Sequence, residues 1–99
     1  MSKHQIIIII PSYNELRTII GVCLKAKRYG RVLVLDDCST DKTTKILSKN
    51  NISYLRNKKN LGYEANLIKG IKYVLKYCKN IKYIITLDAD GELLPINIS

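Results

Sequence analysis

The chain contains a single histidine, His4, beside its N-terminus, which excludes in practice a serine or cysteine nucleophile activated by a histidine base. Cysteine is scarce too. Cys23, Cys38 and Cys78 are odd in number and lack metal-ligand spacing, so neither a disulfide framework nor a thiolate zinc site is expected. Cys23 and Cys78 fall on the apolar faces of expected helices, Cys38 in a polar loop. The one strongly apolar block near the N-terminus, Ile6 to Ile10, is far too short to span a membrane, and no signal-peptide cleavage pattern follows it. The cytoplasm is the default location. There is no Gly-x-Gly-x-x-Gly after the first apolar run and no Gly-x-x-x-x-Gly-Lys-Ser/Thr anywhere, which removes a dinucleotide fold and a phosphate-loop nucleotidase.

Negative charge is the other scarcity. Eight acids stand against 17 lysines and arginines, for a net charge of +9 over 99 residues. Such a balance invites a nucleic-acid reading. The 13 lysines are nevertheless spread along the whole chain. The stripe Lys69, Lys72, Lys76 and Lys79 reads as the wet side of a helix, so no nucleic-acid partner is expected. An anionic membrane surface or a phosphorylated substrate suits the charge equally well. The length fits one small domain, with a core but little room for two substrates. At 46% hydrophobic and 25% charged residues, disorder is not expected.

Apolar runs and helical periodicities alternate along the chain. Gln5 to Ile10 reads as a buried strand stopped by Pro11, and Asn14 as an N-cap with Glu15 in the first helical turn. Leu16, Ile19, Ile20, Cys23 and Leu24 then keep helical spacing to about Tyr29, with Gly30 as breaker. Arg31 to Leu35 is a second buried strand. Cys38 to Asp41 opens a helix to about Lys49, which Asn50 and Asn51 stop, and Ile52 to Arg56 is a third strand. A long helix from Tyr63 to Lys79 carries Ala65, Ile68, Ile71, Leu75 and Cys78 on one face, widened by Leu67 and Val74. Ile81 to Leu87 is a fourth buried strand, and Pro95 is placed to open one more helix. The order β-α-β-α-β-α-β implies parallel strands with right-handed helical crossovers, an open α/β sheet.

In such sheets ligands bind beyond the carboxyl ends of the strands. Seven of the eight acids (Glu15, Asp36, Asp37, Asp41, Asp88, Asp90 and Glu92) lie just beyond strands one, two and four. Taken alone, Asp88-Ala89-Asp90-Gly91 is a polar turn after a strand. Beside the other acids, in a chain this basic, it points to a cation site, since carboxylates so close need a cation between them to ionise cheaply.

Four segments in order, Ile-Pro-Ser-Tyr-Asn-Glu (10–15), Leu-Asp-Asp-Cys-Ser-Thr-Asp (35–41), Asn-Leu-Gly-Tyr-Glu-Ala-Asn (60–66) with Gly70 beyond, and Leu-Asp-Ala-Asp-Gly-Glu (87–92), resemble the family 2 glycosyltransferases. The resemblance covers essentially the whole chain. It implies a Rossmann-like half of a glycosyltransferase A fold, about four strands in the order 3-2-1-4, and inverting transfer from a nucleotide-sugar donor such as a UDP- or GDP-sugar. By the same resemblance Pro11, Ser12, Tyr13 and Glu15 meet the base and ribose, Asp37 accepts from the base ring, and Asp36 holds its loop. Asn60, Gly62 and Asn66 match the segment closing over the nucleotide, although loop geometry and a helix cap explain them nearly as well. The resemblance likewise implies that Asp88 lies beside ribose and metal and that Asp90 ligates magnesium or manganese directly. The fourth segment looks closest to the branch that charges polyprenyl phosphates at the inner face of a membrane, where Gln commonly stands at the position of Glu92; a saccharide acceptor is the other option. The family's acceptor site and catalytic base lie beyond the fourth strand. No catalytic residue is therefore expected within the chain, and the base is expected beyond Ser99. Residues 1–99 are expected to be a single donor-binding subdomain, inactive alone, without the acceptor subdomain. Strand four is expected to leave an uncovered apolar edge that drives self-association. A phospho-acceptor signalling domain using Asp36, Asp37 and Asp88, and a non-catalytic nucleotide-binding module, are the rival readings.

Overall fold

The structure is a computed structural model and describes residues 3–89 together with the backbone of 96–97. Five consecutive isoleucines suit a strand covered on both faces, and β1 (Ile6–Ser12) is the central strand of the sheet. It pairs in parallel with β2 (Arg31–Asp36) on one side and β4 (Tyr83–Thr86) on the other. β3 (Tyr54–Arg56) adds in parallel to β2, and β5 (Ile96–Asn97) pairs antiparallel with β4, for the order β3-β2-β1-β4-β5. The four parallel strands take the expected order.

Side chains alternate along β1 and divide the core in two. Ile8 and Ile10 meet α1 (Ile19–Ala26) and α2 (Thr43–Lys49) through Ile19, Val22, Cys23 and Leu47. Ile7 and Ile9 pack with Leu33, Leu35 and Val74 beneath α3 (Tyr63–Tyr77). The coverage is uneven. Tyr83, Ile84 and Ile85 of β4 stay half-buried, and beside α1 an apolar groove of about 510 Å³ runs between Ile6, Ile8, Ile85 and Leu87.

Several expectations are corrected. Pro11 lies within β1, opposite Leu35. Ile9 O accepts from Leu87 N and Ser12 O from Asp37 N, so odd positions of β1 face β4 and even ones face β2. Pro11 therefore turns its missing N–H toward β4, where the ladder has already ended at Ile9 and Thr86, and no bond is lost. Asn14 does not cap α1, which starts five residues later, because its side chain is engaged elsewhere. α1 also ends at Ala26, and its buried side is Ile19, Val22, Cys23 and Ala26, with Leu24 half exposed at 52%.

The buried face of α3 differs as well. Leu67, Ile71, Val74 and Cys78 pack on the core as expected, but Asn66 and Gly70 also point inward, whereas Ile68 and Leu75 are 46% and 73% exposed. Gly70 explains the rotation, since a Cβ there would stand 2.2 Å from Leu35 Cδ1. Only glycine lets the helix lie this close to β2. Pro95 lies outside the described residues, and the expected helix is replaced at 96–97 by a strand. β5 pairs with Ile85 and Thr86, so the edge of β4 is not left open along its whole length.

Candidate functional site

Where β1, β2 and β4 end, the chain turns into loops, and a cleft of about 440 Å³ opens between them and the start of α3. Nine of the ten residues expected at the donor line it: Pro11, Ser12, Tyr13 and Glu15 from the β1 end, Asp37 from β2, Asn60, Gly62 and Asn66 from the loop and helix opposite, and Asp88 from β4. The exception is Asp36. Its fully buried carboxylate lies behind the wall, accepting from Ser39 N at 3.1 Å and from Ser39 Oγ, with Arg56 Nε 3.7 Å away. Asp90, expected to ligate the metal, lies outside the described residues. So does Ser99, the position beyond which the catalytic base is expected, and the geometry of the described residues therefore bears on the donor side alone.

Asp37 holds the wall together. Its Oδ1 accepts from Leu61 N at 2.7 Å and Asn57 Nδ2 at 2.9 Å, and its Oδ2 from Gly62 N at 2.9 Å. The 57–62 loop is thereby wrapped around a carboxylate. Gly62 can offer its N–H this way because it adopts φ 90°, closed to most side chains. Asn60 fits the same turn, accepting from Gly62 N through Oδ1 and donating to Asp37 O. Asn66 donates to Leu35 O at 2.8 Å and accepts from Asn57 Nδ2 at 2.8 Å.

Two residues that sequence reasoning missed as site residues tie these loops together. Asn57, 3% exposed, links Asp37 and Asn66, and Lys69 Nζ donates to its Oδ1 at 3.0 Å. Asn14 fastens the β1 loop to the β2 loop, with its Oδ1 accepting from Thr40 N at 2.8 Å and Asp41 N at 3.3 Å and its own N–H donating to Ser39 Oγ at 2.9 Å. The left-handed φ of Asn14 (53°) and Cys38 (64°) gives the only local hint. Asparagine adopts that conformation readily, but its partners here lie about 26 positions away, beyond any local pattern.

The floor of the cleft carries two unspent groups. The exposed Asp88 carboxylate makes no hydrogen bond or ion pair among the described residues. The buried Ser12 hydroxyl likewise has no partner among them. Tyr63 and Ala89 complete the lining, and the Tyr63 phenol is pushed up, first by partial burial and then by the Asp88 charge. No lysine or arginine among the described residues lines the cleft, although the chain carries +9. Three carboxylates, Glu15, Asp37 and Asp88, face a common space, and such a space favours a cation or neutral hydrogen-bond donors over a bare anion. Among the described residues no three His, Cys, Asp or Glu side chains form a ready-made metal cage. A magnesium-type ion needs less, because it is commonly held by one or two carboxylates with substrate phosphates and water completing the shell. An unspent carboxylate at the floor fits that demand.

Comparison with known proteins follows the same outline. The profile described as glycosyl transferase family 2 matches residues 7–99. An uncharacterised protein of Methanocaldococcus jannaschii is 37% identical over 101 residues, which take in 99% of this chain and 40% of that protein. A UDP-N-acetylglucosamine–dolichyl-phosphate N-acetylglucosaminyltransferase of Methanococcus voltae is 28% identical, covering 100% of this chain and 46% of its own length. Among solved structures, S. aureus TarS 1-349 superposes with a TM-score of 0.65 at 27% identity over 87% of this chain and 27% of that one. The chain thus spans less than half the length of these relatives.

Proposed function

The chain belongs to the family 2 glycosyltransferases, and from that premise we propose that its cleft binds the nucleotide of a nucleotide-diphosphate sugar, with a divalent cation, for inverting transfer to a polyprenyl phosphate or saccharide. One observation carries the reading. A cleft lined by Glu15, Asp37 and Asp88, and by no basic side chain among the described residues, stands at the carboxyl edge of a very basic chain. A diphosphate entering alone would meet three carboxylates. Entering with magnesium or manganese, it brings the charge the cleft lacks.

Asp88 is the carboxylate free to hold that ion, joined by Asp90, which lies beyond the described residues. When bound, the ion supplies neutralisation of the charge that develops on the leaving diphosphate. The chain's own residues position the rest. Tyr13 and Glu15 flank the place for base and ribose, and the buried Ser12 hydroxyl is a polar group still to be satisfied. Asp37 spends three acceptor positions on its own loop, and a carboxylate offers roughly four. What remains suits a ring N–H, as uracil and guanine present. A polyprenyl phosphate acceptor is already ionised and needs little help from a general base, in keeping with the dolichyl-phosphate acceptor of the Methanococcus relative. Such an acceptor places the chain at a membrane face. Among the described residues no helix is long and apolar enough to cross a membrane. Family membership leaves the phospho-acceptor reading without support.

The test is a titration of the chain with UDP and GDP, each with and without manganese, followed by chemical shifts at Asp37 and Asp88, with magnesium as the diamagnetic control. Metal-dependent shifts at both, lost in Asp88→Asn, are expected. Shifts independent of metal, or an Asp88→Asn chain that titrates unchanged, would overturn the cation's part, and absence of any response to either nucleotide would overturn the donor site.

A further inference from the structure

The rotation of α3 leaves an unexplained surface. Ala65, Ile68 and Leu75 have helical spacing but sit on the solvent side, among the lysines rather than opposite them. Lys72 lies between Ile68 and Leu75 on this face, and Lys76 one turn on, its ammonium 5.3 Å from the Tyr77 ring. Glu64 is the only acid of the helix. At the N-terminal end the stripe widens into a hollow of about 420 Å³ lined by Leu61, Gly62, Tyr63, Glu64, Ala65 and Ile68. Gly62 and Tyr63 also line the donor cleft, so the two depressions share a wall.

We propose that the outer face of α3, with Ile68 and Leu75 as its apolar contacts and Lys72 and Lys76 as its charges, is the surface by which this chain rests on an anionic phospholipid bilayer. Charge complementarity selects this occupant. A helix with apolar residues set among lysines lies in the plane of an anionic interface, its apolar side chains entering the acyl boundary and its ammonium groups meeting the headgroups. A second copy would bring lysines against lysines, in a chain already at +9. The surface specifies where the membrane-bound acceptor proposed above would arrive, and it rests on that reading only for its purpose. With α3 against the bilayer, the shared wall at Gly62 and Tyr63 brings the mouth of the cleft to the headgroup layer.

The experiment is co-sedimentation of the nucleotide-free chain with phosphatidylcholine vesicles, with and without phosphatidylglycerol. Omitting nucleotide separates the result from any failure of the donor site. Binding to anionic vesicles only, weakened by salt, is expected. Lys72→Glu with Lys76→Glu should weaken it by about tenfold or more, at roughly one factor of several per basic residue, and Ile68→Ser with Leu75→Ser should weaken it comparably. Leu24→Ser, at a half-exposed position of α1, should bind as the parent does. Five exposed positions are changed, and circular dichroism checks that each variant stays folded. Equal binding to neutral vesicles, unchanged binding of the Ile68/Leu75 variant, or a dimer in sedimentation that the same substitutions abolish would overturn the proposal.

Discussion

Asn14 shows how much of the cleft depends on single side chains that carry no chemistry. Its amide oxygen satisfies two backbone donors of the β2 loop, and its own backbone adopts a left-handed φ that a β-carbon normally resists. Replacing it separates the two effects. Asn14→Ala loses both and should cost about 1–3 kcal/mol. Asn14→Gly keeps the backbone freedom and should cost less, and Asn14→Asp, which preserves an acceptor, least. Urea unfolding with a constant slope gives these differences directly, and an Asn14→Gly chain no more stable than Asn14→Ala would show that the backbone conformation contributes nothing. The legibility of the site follows the same division. Carboxylates at strand ends are visible in sequence because residue type and position coincide. Asn14 and Asn57 are not, because an amide in a polar loop looks alike whether it faces water or a partner about 20 residues away.

At the level of elements, the strands could be read from their apolar runs and the helices from their periodicity. Their faces were harder. Hydropathy counts Ala65, Ile68 and Leu75 as one side of α3, whereas the inward side is chosen by Asn66, which bonds Leu35 O, and by Gly70, which lets Leu35 in. Neither residue scores as apolar. Gly70→Ala tests this directly, because the new methyl would meet Leu35, 1% exposed and without room to retreat. Overpacking of this kind costs about 1–3 kcal/mol, partly offset by the better helix propensity of alanine. A melting temperature equal to the parent's would mean that α3 can lift off the sheet freely. β5 escaped notice for another reason: two residues pairing antiparallel leave no pattern to find.

At the scale of the whole molecule, the largest titration shift among the described residues is at Cys23, in the core between α1 and the sheet. Burial pushes the thiol up from 9.0 to about 12, against a smaller opposing pull from Lys27. The folded chain therefore holds this proton more tightly than the unfolded one. Its contribution is complete below the unfolded value of 9.0 and is lost as pH rises toward about 12. Comparing the parent with Cys23→Ala cancels the titration of lysines and tyrosines common to both. The parent's advantage should shrink across that interval, and a gap independent of pH would contradict the assignment.

The central position of β1 has a consequence for how the chain is made. Ile6 through Ile9 leave the ribosome long before Tyr83 through Thr86, the residues with which one flank of that strand pairs. β2 covers the other flank much sooner. Until then five isoleucines wait with a row of unpaired amides, in the state most open to wrong partners. The interval between the emergence of Arg31 and that of Tyr83 is when the nascent chain most needs a chaperone.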